Sequence, residues 1–239
     1  MRSGGINPRR ANLGEADQII AYAWTAKVPA PGALLRSEPL PADLVLDNAA
    51  TSLRILYSST DGIGGKTPIA VSGALFVPKG APPAGGWPLV AWAHGAVGAA
   101  AACAPSFRGR SERDVKYLKS WLTAGFAIVA ADYQGLGPAG GHPYLATRPE
   151  AYGVLTLRLR QPLFVGAGML DRDVPPAMQT ALVLDACLAE SRVVWRRYAG
   201  LDHSGTVNPS LADSLPFVRD LLAGKPVPEG CEVANGTKP

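Results

Sequence analysis

The chain of 239 residues is 47% apolar, 18% charged and only 7% aromatic, with 27 Gly and 22 Pro, a balance that fits one loop-rich α/β domain with a real core. Its formal charge of +4 is scattered, and the densest basic groups, Arg9-Arg10, Arg158/Arg160 and Arg196-Arg197, are too short to form a nucleic-acid surface. No window approaches the roughly 18 uninterrupted apolar residues of a spanning helix, so no membrane span is expected, and the opening MRSGGINPRRANLGEADQII contains no apolar h-region.

Residues before about 50 read as an irregular arm. TSLRILYSSTD and KTPIAVSGALFVP then alternate as strands on either side of the Gly-rich GIGGK, which predicts an antiparallel hairpin. GWPLVAWAHG is a short continuous apolar run, the pattern of a strand buried on both faces of a parallel sheet. In SERDVKYLKSWLTA, Val115, Leu118, Trp121 and Leu122 recur at helical spacing and the pattern stops at Gly125. FAIVAADYQG closes a βαβ unit. A short helical remnant, PEAYGVL, leads to RQPLFVGAGMLD as a third buried strand, PPAMQTALVLDACLAES as a helix opened by prolines, RVVWRRYAG as a fourth strand and SLADSLPFVRDLLAG as a closing helix. This alternation predicts a mostly parallel α/β sheet with an N-terminal antiparallel hairpin and flanking helices, in a single domain over residues 1–239.

Polar residues gather where the strands of such a sheet end. These are His94-Gly95-Ala96-Val97-Gly98 after the first buried strand, Asp132 to Gly137 after the second, Asp171 and Asp173 after the third, and His203 after the fourth. No G-x-G-x-x-G opens a helix after a strand, which excludes a dinucleotide-binding reading. The three cysteines, Cys103, Cys187 and Cys231, fit no zinc spacing and allow one disulfide. Neither metal nor cofactor is expected.

WAHGAVG with CAPS, then ADYQGLG and HPYL, LFVGAGMLDRDVPP, YAGLDHSGTV and GKPVPEGC follow one another in an order that resembles the secretory-lipase type of α/β hydrolase, from about residue 50 to Cys231. The resemblance implies a minimised α/β-hydrolase-like fold, with Asp171, three residues before the Val-Pro, as triad acid and His203 of the D-H pair as triad base. It also implies Gly95 and Ala96 as oxyanion-hole donors, a Cys187–Cys231 disulfide that leaves Cys103 unpaired, and a secreted or periplasmic location. A Gly-flanked amide can approach a developing oxyanion closely, and an Asp can fix the tautomer of a neighbouring His and steady its imidazolium. Asp173 is the runner-up acid. His94 and His142 read as loop-positioning residues.

The family's G-x-S-x-G nucleophile elbow, with its strand and lid, is missing, and the chain runs from Ala151-Tyr152-Gly153-Val154-Leu155 almost directly to the strand before Asp171. An internal deletion is therefore expected near 155–160. The exposed sheet edge would be covered either by RQPLFVGAG sliding beside WPLVAWAH or by a second copy in a homodimer. A relocated nucleophile is then required, with Ser106 first and Cys103 as the alternative. Ser204 ranks lower because it adjoins His203, and Ser58, Ser59 and Ser72 lie in the hairpin. The expected activity is hydrolysis of small or short-chain carboxylic esters; the alternative is an inactive remnant serving as a binding or structural module.

Overall fold

The structure is a computed structural model that describes residues 22–143 and 162–237. The chain divides into two compact units, Met1–Ala146 and Thr147–Pro239, and each unit has its own sheet. The PEAYGVL remnant and the expected deletion junction near 155–160 lie outside the described residues.

The first unit holds a sheet of five strands in the order β1-β2-β3-β5-β4: β1 (Leu34–Pro39), β2 (Ala49–Thr60), β3 (Pro68–Pro78), β4 (Leu89–Ala93) and β5 (Ala127–Ala131). The expected hairpin is β2 and β3, antiparallel with Leu53 opposite Leu75 and Ile55 opposite Gly73. β1 corrects the expectation of an irregular arm over 1–50, since LLRSEP pairs antiparallel with β2 through Glu38↔Arg54 and Pro39↔Leu53. Its short alternation gave too little signal to be read as a strand without its partner. β5 pairs antiparallel with β3 and parallel with β4, so this sheet is mostly antiparallel and the expected mostly parallel sheet is corrected here. Gly73 is needed at the β3–β5 crossing, because a Cβ there would lie 2.5 Å from the Ala130 carbonyl.

A four-residue helix, α1 (Pro105–Arg108), follows β4, and α2 (Glu112–Thr123) links to β5. α2 starts where the sequence indicates: the Ser111 side chain accepts from the Asp114 amide at 3.2 Å. Leu118, Trp121 and Leu122 are buried, and Gly125 just past the end adopts φ 86°. β4 is an edge strand whose residues alternate between exposed and half-buried. The expectation that WPLVAWAH is buried on both faces is thus corrected.

The second unit is a wholly parallel sheet in the order β6-β7-β8, formed by β6 (Leu163–Gly168), β7 (Val193–Tyr198) and β8 (Cys231–Asn235). α3 (Pro176–Leu188) connects β6 to β7, and α4 (Leu211–Leu222) precedes β8. Val183 and Ala186 of α3 pack with Ala167, Val193 and Trp195. β6 is the edge of this sheet, and among the described residues its strand partner is β7, where pairing of RQPLFVGAG with WPLVAWAH was one expectation. β8 was not expected: its CEVAN stretch is bounded by no strong strand signal, and it pairs with β7 and is tied by a covalent bond. That bond is the Cys187–Cys231 disulfide, Cα–Cα 6.0 Å, joining the end of α3 to the start of β8, while Cys103 is free.

The cross-link closes a loop with a sequence separation of 44, which in the chain-entropy account stabilises by about 4 kcal/mol. Replacing both Cys187 and Cys231 by Ser is expected to lower the unfolding free energy of the second unit by about that amount. Hydrogen exchange of the β7 amides in wild type and variant measures it.

Candidate functional site

Asp171 lies just beyond β6 and His203 in the loop after β7, so parallel pairing of these two strands brings the two loops to the same end of the sheet. The turn is fixed further by the Leu170 amide, which donates to the Leu201 carbonyl at 2.9 Å, and by Gly168, where a Cβ would lie 2.3 Å from the Thr206 hydroxyl oxygen. Asp171 is buried, whereas the His203 side chain is 44% exposed. His203 Nδ1 stands 3.0 Å from Asp171 Oδ2. With a carboxylate acceptor at Nδ1, the neutral ring carries its hydrogen there and leaves Nε2 as the nitrogen with a lone pair.

The carboxylate is held from several sides. Oδ1 accepts from the amides of Asp173 and Val174, both at 2.9 Å, and Oδ2 accepts from Gln179 Nε2 at 3.3 Å as well as from His203. Burial pushes the Asp171 carboxyl up, but the Val174 amide, His203 and the Asp173 amide outweigh it and hold the group below its ordinary value. Asp173, the runner-up acid, contributes its backbone amide and its side chain is exposed. Gln179 escaped the sequence reading because nothing in PPAMQT singles out its amide from any other polar helical residue.

Ser106, the first-ranked nucleophile, is enclosed. It sits in α1 with 0% exposure, its amide donates to Asp132 Oδ1 at 2.9 Å, and its hydroxyl donates to Asp132 Oδ2. Because that hydrogen points to Asp132, the Tyr22 phenol is the donor in the 2.8 Å contact with Ser106 Oγ. Burial and the neighbouring Asp132 charge push the Tyr22 phenol up to about 12, so it keeps its proton. Ser72 donates to Asp132 Oδ2 at 2.7 Å, and Arg54 donates to the Ser106 carbonyl from Nε at 3.3 Å and Nη2 at 3.2 Å while pairing with Glu38. The Ser106 hydroxyl, expected as the nucleophile, is thus buried and hydrogen-bonded to Asp132 and Tyr22. The signal for Asp132 was present in FAIVAAD: an acid at the end of a buried strand must find donors.

Gly95 and Ala96 lie in the exposed loop after β4. His94 supports that loop through ring contacts to the Gly95 carbonyl at 2.6 Å and the Asp132 carbonyl at 3.3 Å. Tyr133, at φ 75°, donates its hydroxyl to the His94 carbonyl at 2.7 Å. His142 contacts the Gln134 carbonyl through Nδ1 at 2.8 Å and stacks on Tyr133. Cys103 is half-buried in a 3₁₀ turn, with Arg108 Nη1 3.9 Å from its sulfur. Ser58 is buried, donating to the Ala30 carbonyl at 2.6 Å, and Ser204 is exposed. Among the described residues no group of three or more His, Cys, Asp or Glu is arranged to hold a metal ion, and no helix is long and apolar enough to cross a membrane.

No known protein family matches the chain, and no curated protein matches it. Among solved structures, Candida antarctica lipase A in its closed state is similar at TM-score 0.36 and 17% identity over 89% of this chain and 44% of that one. A second structure of Candida antarctica lipase A gives 0.35 and 18% over 78% and 39%. The chain thus spans less than half the length of either. Similarity at this level fixes no activity. The protein is an α/β protein with an Asp–His pair at the end of a parallel sheet.

Two outcomes check these assignments. Ser106→Ala removes a buried hydroxyl from Asp132 and Tyr22, and is expected to cost about 2 kcal/mol in urea unfolding. Asp171 has a folded value below the unfolded one of roughly 3.9, so its contribution is complete above that pH and is lost as pH falls through the folded value. Thermal unfolding should therefore weaken below about pH 4, and less steeply in Asp171→Asn. Asp213, lowered despite burial by Thr237 and Tyr198, adds to the same acid limb in both proteins.

Proposed function

We propose that the protein is a carboxylic-ester hydrolase for small, activated or short-chain esters, with His203 as general base and Asp171 as the group that orients it. The observation that carries the reading is the 3.0 Å contact between a buried carboxylate and the Nδ1 of a half-exposed imidazole, which leaves Nε2 basic and open to water or substrate. The resemblance to secretory lipases supports the same two residues.

The nucleophile is water, because Ser106 is enclosed. Nε2 takes a proton as the water oxygen attacks the ester carbonyl. The tetrahedral intermediate collapses, the C–O bond to the alcohol breaks, and the proton on Nε2 passes to the leaving alkoxide, which regenerates the neutral ring. Asp171 stays ionised throughout and steadies the transient imidazolium. Without an acyl-enzyme the turnover is slow, and esters with good leaving groups are favoured.

The second reading is a non-catalytic module, favoured by one observation: among the described residues, the hydrogen-bond partner of the His203 ring is a carboxylate and not a hydroxyl or thiol. Turnover of p-nitrophenyl acetate and butyrate decides between them. On the hydrolase reading, His203→Ala reduces the rate at least tenfold, while Ser106→Ala and Cys103→Ala retain it per folded molecule. A rate indifferent to His203→Ala leaves the module reading. Loss of activity in Cys103→Ala with His203→Ala would instead make the enzyme a thiol hydrolase.

A further inference from the structure

We infer that Gln179 is the positioning residue of the Asp171–His203 pair, fixing the carboxylate in the orientation that meets the imidazole; the inference rests on reading that pair as the general-base dyad. Gln179 lies in the first turn of α3, eight positions after Asp171, and its Nε2 donates to two acceptors: the Val174 carbonyl at 2.8 Å and Asp171 Oδ2 at 3.3 Å. A primary amide has two N–H groups, so both bonds form at once. One side chain thereby ties the Asp171–Val174 turn and the carboxylate itself to the start of a helix.

The need for such a tie follows from exposure. His203 is 44% exposed, and water competes with Asp171 for its Nδ1–H. A carboxylate already aligned loses less entropy on accepting that hydrogen than one free to turn. Oδ1 is saturated by the amides of Asp173 and Val174, which anchors one oxygen to the turn, and Gln179 anchors the turn to α3 and touches the other oxygen. The donor's neutrality also matters. Lys or Arg at this position would hold the carboxylate equally well, but its charge would oppose the imidazolium that forms when Nε2 takes a proton. An amide orients without that repulsion.

Gln179→Met keeps the length of the side chain and removes both donors. The test reads the ring nitrogens of His203 by 15N-edited NMR alongside steady-state hydrolysis of p-nitrophenyl acetate. In the wild-type protein the neutral ring should be mainly the Nδ1–H tautomer. In Gln179→Met the Nε2–H form should rise, and kcat should fall roughly tenfold with KM unchanged, the rate equivalent of one hydrogen bond to a charged group. Ring nitrogen shifts that are identical in wild type and Gln179→Met would overturn the inference. A measurement on the wild-type protein guards against a variant that fails to fold. The side-chain amide protons of Gln179 should exchange with water markedly more slowly than those of an exposed glutamine, and equal exchange overturns the positioning role. Because the tautomer readout needs no substrate, the two ideas separate. If His203→Ala keeps the full esterase rate while Gln179→Met still shifts the ring nitrogens, the general-base reading of His203 fails and the orientation of Asp171 by Gln179 stands.

Discussion

A carboxyl group with no access to water must find its hydrogen-bond donors inside the protein, and the first unit is arranged around that requirement at Asp132. Its donors come from two stretches far apart in sequence, and a third stands behind them. The Ser106 amide and hydroxyl arrive from α1, the Ser72 hydroxyl from β3, and the Tyr22 phenol reaches the cluster through Ser106. Gly137, at φ 87°, passes so close that a Cβ there would sit 2.4 Å from the Ser72 oxygen and 3.0 Å from the Tyr22 ring. Arg54 then closes the group by holding the Ser106 carbonyl and lying 5.3 Å over the centre of the Tyr22 ring. Removing one of these groups leaves others buried without partners, so the cluster acts as a unit.

The same physical requirement is met differently at Asp171. Here the backbone supplies two donors and Gln179 a third, and one place on the carboxylate is occupied by an imidazole that is itself half in water. Asp132 is closed on all sides and has a structural part to play. Asp171 is closed on three sides and offers the fourth to a group that can exchange protons. That difference, and not residue type, is what separates a buried anchor from a candidate dyad.

Sheet architecture explains why a pair of loop residues can be held this well in a small unit. β6 and β7 are parallel and in register from Leu163↔Val193 to Gly168↔Tyr198, so their following loops start level with one another. The backbone bonds from Met169 to Tyr198 and from Leu170 to Leu201 extend the pairing past the strand ends to the residue before Asp171. On the other edge, β8 is held to β7 both by the ladder and by the disulfide from α3. A sheet of three strands has little core of its own, and a covalent tie between a flanking helix and an edge strand compensates for that.

The sequence by itself determined the local elements. Strong periodicity with clear stops located β2, β3 and α2 close to their observed bounds, because the side chains that create the pattern also create the buried faces, while α3 was located by the prolines that open it. It also located Asp171 and His203 by the loops that carry them, since residues at strand ends in a parallel sheet converge wherever the strands pair. What only the tertiary structure decided was which groups satisfy which. Ser106 reads as a free loop serine until Asp132 and Tyr22 are seen around it. β1 and β8 become strands through partners distant in sequence, and Gln179 gains a role only once its helix starts beside Asp171. Periodicity reports a residue's own preference for burial, whereas hydrogen-bond partnership is a property of two positions at once, and no single stretch of chain contains it.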